Sequence, residues 1–426
     1  MTIGLLRCSV CSSTLIAPIT LSCGYTICLP CLSSTAQATE NNSFICPVPS
    51  CVKDKHLFGP SLHEDETIKL CLSQRLDTMS SAETYKIISN ALMCSSSSGS
   101  HLLKSPVTNH CGHTFCRPCL LWQKITTNSC PKCQNRLPSY QFIQHQPVTY
   151  TINEILQSLY RADQPTADTL DIPSESGIQT ISLSDPNRLY SHIPIILFDF
   201  PILPSQKIRI PIYTLYSRAM MHVAVFFCKE LQCLCLAISY KPKSTYTGHY
   251  GILAKITGVE NKDDDTLIDI IGLDRFVTRE IHRVAEDHSI ADIELRVETV
   301  YSKEPKASNG SNSTTELANR VHAFITDLSC SPPSYSFCNA VQGLLGPIWL
   351  QSVQNIHGPL PSPNDPISLC WWAAIILPVA NQDRCRLLEI DSLMDRLTLI
   401  VSWIHDLETQ WDRCTTRVMT SIARAL

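Results

Sequence analysis

The stretch Cys23-Gly-Tyr-Thr-Ile-Cys-Leu-Pro-Cys-Leu32 returns later in the chain as Cys111-Gly-His-Thr-Phe-Cys-Arg-Pro-Cys-Leu120, with seven of ten positions identical. Each copy is followed by a further cysteine pair, Cys46 with Cys51 in the first and Cys130 with Cys133 in the second. Of the 22 cysteines in 426 residues, 14 lie in the first 133: Cys8, Cys11, Cys23, Cys28, Cys31, Cys46, Cys51, Cys71, Cys94, Cys111, Cys116, Cys119, Cys130 and Cys133. The other eight are scattered and read as small core hydrophobes. The first residues lack a charged region followed by a small-residue cleavage site, so a secretory signal is not expected. In an intracellular, reduced protein, clustered cysteine pairs favour metal over disulfides.

Cys-x-x-Cys upstream, Cys-x-His-x-x-Cys-x-x-Cys in the middle and Cys-Pro-x-Cys downstream resembles the RING finger. That resemblance implies interleaved pairs, the first and third binding one zinc and the second and fourth another. Zinc takes four thiolate or imidazole ligands in a tetrahedron, and such small loops do not fold without it. In the second module Cys111, His113, Cys130 and Cys133 form a complete site. Its other site offers Cys94, Cys116 and Cys119, but Ser97 stands where a cysteine is expected. His101 is the nearest substitute, which leaves that site three-ligand, His-completed or empty. The first module mirrors this. Cys8, Cys11, Cys28 and Cys31 are complete, whereas Cys23, Cys46 and Cys51 have Tyr25 in the histidine position. A phenol ligates only once deprotonated. The expectation is therefore three structural zinc ions, with no open coordination position for catalysis.

Composition narrows the functions. Apolar residues make up 44% of the chain, enough to bury real cores, and the net charge of -4 with no basic run argues against nucleic-acid binding. No apolar segment approaches the roughly 20 residues of a membrane span. The expected class is multidomain α+β. Residues 1–60 form a first RING-like module, 61–93 a helical spacer, 94–138 a second RING-type module and 139–189 a helix and linker, with Thr151 as its cap. Cys94-Ser-Ser-Ser-Ser-Gly-Ser100 reads as a flexible loop. Residues 190–303 read as a β-rich region interrupted by one helix over Tyr213 to Phe227, and 316–426 as mostly helical.

Within the β-rich region, Ile193-Pro-Ile-Ile-Leu-Phe-Asp-Phe-Pro-Ile-Leu-Pro204 precedes Ile208-Arg-Ile-Pro-Ile-Tyr-Thr-Leu-Tyr-Ser-Arg218. Gly251-Ile-Leu-Ala-Lys-Ile-Thr, Ile268-Asp-Ile-Ile-Gly-Leu-Asp-Arg-Phe276, Trp372 to Pro378 and Leu387 to Leu397 follow in order. This succession resembles the Lon protease N-terminal domain, a β-rich (PUA-like) fold with a helical close. Gly272, Arg275 and Phe276 read as architecture, with Phe276 in the core. No Gly-x-x-x-x-Gly-Lys-Ser/Thr nucleotide loop is present, so an ATP-dependent protease is not expected.

RING modules followed by such a domain resemble the LON peptidase N-terminal domain and RING finger family. The resemblance implies a RING-type ubiquitin-protein ligase whose partners are a ubiquitin-conjugating enzyme, ubiquitin and a protein substrate. Transfer would be non-covalent, through positioning. Expected conjugating-enzyme contacts are Val10 and Pro47 in the first module, and Trp122, Pro131, Gln134 and Arg136 in the second. Trp122 is equally readable as core. Cys71 is the one unassigned cysteine of the region, and no histidine at motif spacing activates it. A non-catalytic scaffold with degenerate RING modules is the alternative, resting on the ligands missing at Tyr25 and Ser97.

Overall fold

The computed structural model describes residues 6–35, 38–39, 43–51, 55–57, 63–73, 87–96, 99–163, 180–181, 189–212, 225–240, 250–262, 265–285, 288–296, 313–329 and 347–425. The chain divides into two compact units. One is Met1–Leu183 with Pro211–Leu234 and Thr257–Ile268, and the other is Ser184–Ile210 with Cys235–Ile256 and Asp269–Leu426.

In the first unit the two cysteine-rich modules repeat one design. A short antiparallel hairpin opens each, Pro18–Thr20 against Thr26–Cys28 and Pro106–Thr108 against Thr114–Cys116. A helix follows at once, Leu29–Thr35 in the first module and Arg117–Thr126 in the second. Proline sits in the first turn of the second-module helix, where a missing N–H costs nothing. The helix Glu66–Ser73 lies between the modules, and Tyr140–His145 and Tyr150–Asp163 follow the second. Within the span expected as a helical spacer, Glu66–Ser73 and 87–91 are helical, and residues 74–86 lie outside the described residues.

Several expectations are corrected. Of the stretch Cys94 to Ser100 expected as a loop, the described residues are strand, in the hairpin Met93–Ser96 against Gly99–Leu102, and 97–98 lie outside them. The helix after the second module begins at Tyr150, so Thr151 is its second residue and not its cap. The helix expected over Tyr213 to Phe227 falls mainly outside the described residues, and its end belongs to the strand Val225–Cys228. The linker expected within residues 139–189 also lies largely outside them.

The larger sheet falls mostly in the second unit, with the ends of four of its strands counted in the first. Cys233–Tyr240, Leu189–Phe198, His288–Arg296, Asp265–Ala285 and Lys207–Ile212 lie side by side in that order. Tyr250–Lys262 pairs with both Cys233–Tyr240 and Asp265–Ala285, so five strands close into a ring with no free edge among them. The strand Cys233–Tyr240 is buried along nearly its whole length, which is why its sequence, Cys-Leu-Cys-Leu-Ala-Ile-Ser-Tyr, is an unbroken apolar run and not an alternation. Phe276 fills the space beside Gly251. A β-carbon there would stand 2.2 Å from Phe276 Cζ and 2.6 Å from the Ile238 carbonyl oxygen, so only glycine fits.

The helices Thr314–Ser329, Pro347–His357, Pro366–Ile376, Asn381–Glu389 and Leu393–Ala425 complete this unit. The helix Pro366–Ile376 is buried on every side from Leu369 onward, and its sequence is apolar all round. Asp365 caps it by accepting from Ser368 N at 3.2 Å. Arg275 ties strand to helices. It is buried, donates to the carbonyls of Leu388 and Ile390 at 2.9 Å each, and lies over the Trp371 ring, whose neighbourhood Arg396 also enters. Arg275 and Phe276 are therefore architecture. Among the described residues, no helix is long and apolar enough to cross a membrane.

Phe276→Ala is expected to cost about 3–5 kcal/mol of the stability of the second unit. Gly251→Ala should also destabilise it. Urea denaturation followed by tryptophan fluorescence would measure both, and unchanged midpoints would contradict this account of the core.

Candidate metal centres

Among the described residues, four clusters of four ligand side chains stand in the first unit, each with its ligand atoms within 4.8 Å of one another. They are Cys8/Cys11/Cys28/Cys31, Cys23/Cys46/Cys51/His56, Cys94/His101/Cys116/Cys119 and Cys111/His113/Cys130/Cys133. A tetrahedral zinc separates two sulfur ligands by about 3.8 Å and a sulfur from a nitrogen by about 3.5 Å. The distances fit that geometry: 3.9 Å for Cys8–Cys31, 4.0 Å for Cys23–Cys46, 3.4 Å for Cys51–His56, 3.4 Å for Cys116–His101 and 3.7 Å for Cys130–His113. Thiolate-rich, four-ligand sets with no carboxylate are those of structural zinc, and all four sites are of this kind.

Local backbone explains how each ligand is aimed. In the Cys8-x-x-Cys11 turn, Ser12 takes a positive φ of 58° and donates its N–H to the Cys8 carbonyl. Gln134 does the same after Cys130-x-x-Cys133, with φ 60° and a bond to the Cys130 carbonyl. Backbone amides then point at the sulfurs. Val10 N and Cys28 N reach Cys8 Sγ at 3.4 and 3.3 Å, and Lys104 N reaches Cys116 Sγ at 3.0 Å. Such donors stabilise thiolate charge and hold the ligand still. Hydrogen bonds from Cys116 and then Cys94 pull the Cys119 thiol well below its usual range, and a bond from Cys111 pulls Cys130 down, the direction that favours a thiolate ligand.

The expected count of three zinc sites becomes four clusters because two histidines enter at unexpected places. His101 faces Cys94 as a direct cross-strand partner, so a hairpin supplies the spacing that Ser97 breaks. His56 was missed. It lies on the short strand Lys55–Leu57, paired with Ser43–Ile45, and is buried. Its Nε2 faces Cys51 while Nδ1 lies 3.1 Å from Ser22 Oγ, the kind of outer partner that fixes a ligating imidazole. The available signal was a histidine five residues past a cysteine. Tyr25 does not ligate. Its ring packs against Tyr150 with centroids 4.6 Å apart.

The residues expected to meet a conjugating enzyme divide. Val10, Pro47 and Pro131 are half-buried, and Gln134 and Arg136 are exposed. Trp122 is 2% exposed and is therefore a core residue of the second module, which removes it from any contact surface. Cys71 is buried, and that burial, followed by the charge of Asp65, pushes its thiol up to about 12, the opposite of an activated nucleophile.

Comparison with known proteins fits this geometry. Residues 192–406 match the family model described as the ATP-dependent protease La (LON) substrate-binding domain. Residues 8–51 match a zinc finger of C3HC4-type, RING, and 98–134 a RING-type zinc-finger. A Schizosaccharomyces pombe protein named LON peptidase N-terminal domain and RING finger protein is 23% identical over 73% of this chain. The match spans 62% of that relative's length. An uncharacterized RING finger protein of the same yeast is 38% identical over 81 residues, 19% of this chain and 16% of that protein. Among solved structures, a Lon N-terminal domain protein from Xanthomonas campestris matches with a TM-score of 0.33 and 12% identity, over 50% of this chain and 99% of that one.

Atomic emission on the purified chain should give four zinc ions per molecule. His56→Ala and His101→Ala should each lower the count to three, and Tyr25→Phe should leave it at four. A wild-type count of three, or no effect of His101→Ala, would refute the assignment.

Proposed function

We propose that this chain, which belongs to the LON substrate-binding domain family and carries two RING-type zinc modules ahead of that domain, is a RING-type ubiquitin-protein ligase. The reading is carried by the completeness of the four ligand clusters. The ligands missing at Tyr25 and Ser97 were the ground for treating the modules as degenerate, and His56 and His101 fill both gaps.

The chemistry asked of the protein is positional. A conjugating enzyme carries ubiquitin as a thioester, and a ligase that holds that thioester beside a lysine gains rate through proximity and orientation. Loops fixed by zinc suit this role because their ligands leave the backbone little freedom. Pro131 lies within the Cys130–Cys133 turn and Gln134 and Arg136 are exposed just after it, while Val10 lies within the Cys8–Cys11 turn and Pro47 follows Cys46. These five residues are the proposed contact set. The LON-type domain would recruit the protein substrate.

A second reading is a non-catalytic adaptor, favoured by one observation. With Trp122 buried, the second module keeps less apolar surface for a partner than its sequence promised.

The test combines the full chain with ubiquitin, activating enzyme and a panel of conjugating enzymes. Ubiquitin chains should form with at least one enzyme. Arg136→Ala should slow thioester discharge by about tenfold with zinc content unchanged. No product with any conjugating enzyme, from protein holding four zinc ions, would leave the adaptor reading standing.

A further inference from the structure

The two modules match bond for bond. Leu29 N donates to the Ala17 carbonyl as Arg117 N does to Ser105, and Ala17 and Ser105 share a positive φ of 47°. Gly24 N donates to Leu21 and Gly112 N to Asn109. Between the modules the bonds cross. Asp65 N donates to Pro18 of the first module at 2.7 Å, and the next residue, Glu66, donates to Gly112 of the second at 3.0 Å. Thr149 N donates to Pro106 of the second module at 2.8 Å, and Tyr150 donates to Gly24 of the first at 3.0 Å. Each helix leaving one module thus starts on the glycine knuckle of the other. Both glycines are obligatory there. A β-carbon on Gly24 would stand 2.3 Å from the Val148 carbonyl oxygen, and one on Gly112 would stand 2.0 Å from that of Glu64. The modules are related as the two halves of a dimer.

At the centre lies Asp65, fully buried. Its Oδ2 accepts from Thr20 Oγ1 of the first module at 2.6 Å and from Thr108 Oγ1 of the second at 3.0 Å. Oδ1 accepts from Ile68 N at 3.0 Å and caps the helix Glu66–Ser73. Its counterpart in the crossing pattern, Thr149, brings only a hydroxyl, 2.8 Å from Thr108 Oγ1. A carboxylate is costly to bury and is kept where donors converge on it.

We propose that Asp65 is a positioning residue that clamps the two modules into one ligating unit, and that ubiquitin transfer requires the clamped pair and not a single module. This rests on the ligase reading above. Asp65 touches neither the thioester nor the ligand clusters. It acts through Thr20 and Thr108, which set how one zinc-bound surface faces the other.

The test uses the full chain with Asp65→Ala and, as a milder second variant, Thr20→Val. Zinc should stay at four per chain in both. The KM for the charged conjugating enzyme should hold within twofold, while kcat for discharge falls at least tenfold in Asp65→Ala and less in Thr20→Val. Hydrogen exchange gives a second readout. The amides of Glu66 and Tyr150, which cross from one module to the other, should lose protection, and those within modules (Gly24, Leu29, Gly112, Arg117) should keep it. Loss of zinc in both variants would make Asp65 a folding requirement and overturn the proposal. So would full kcat with the crossing amides unprotected. A wild-type chain inactive with every conjugating enzyme would overturn the ligase reading, and the exchange pattern would then decide the clamp alone.

Discussion

Sixteen ligand atoms gathered into four tight clusters are the constraint on which the first unit depends. The modules bury apolar side chains of their own, Ile27, Phe115 and Leu121 among them, but thiols packed to about 4 Å are at ease only when a cation sits among them. Metal binding and folding are then one event. The hairpins, the helix starting at each second cysteine pair and the left-handed residues at Ser12 and Gln134 follow from the need to aim sulfur at a common point. The remaining contacts of the modules, Asp65 included, are arranged around anchors already set.

The second unit reaches order by the opposite route, through burial. Its five-strand ring has no edge to protect, and Phe276 beneath Gly251 and Arg275 beneath Trp371 join strand to helix by shape and by a cation on an aromatic face. A guanidinium can be buried there because the carbonyls of Leu388 and Ile390 take its protons. Two neighbouring residues of one strand thus face two different cores, as strand alternation requires.

Much of this was legible in the residue string, for identifiable reasons. Ligand pairs at fixed short spacing are local, and the RING resemblance implied which pairs interleave, so Cys111, His113, Cys130 and Cys133 could be grouped from the sequence. Buried strands announced themselves as apolar runs, and Phe276 as core. What escaped was whatever depended on pairing across space. His101 becomes a ligand because it faces Cys94 across a hairpin, and His56 because a strand folds back on Ser43–Ile45. Neither histidine stands at the spacing the RING pattern prescribes, and the nearness of His56 to Cys51 in the chain does not reveal the strand pairing that aims it. Trp122 failed for another reason, since a helix shows which residues share a face but not which face another element covers. The role of Asp65 was invisible because a lone aspartate before a helix reads as a cap, which it also is.

The substitution at Tyr25 carries a consequence of its own. In the second copy the same position, His113, serves a metal. In the first, the ring is released from that duty and lies on Tyr150, at the start of the helix that leaves the other module. The two halves of the repeat are thus no longer equivalent. Joined by one backbone and crossed at their exits, they meet at a local concentration set by tether length, so their pairing does not depend on how much of the protein is present.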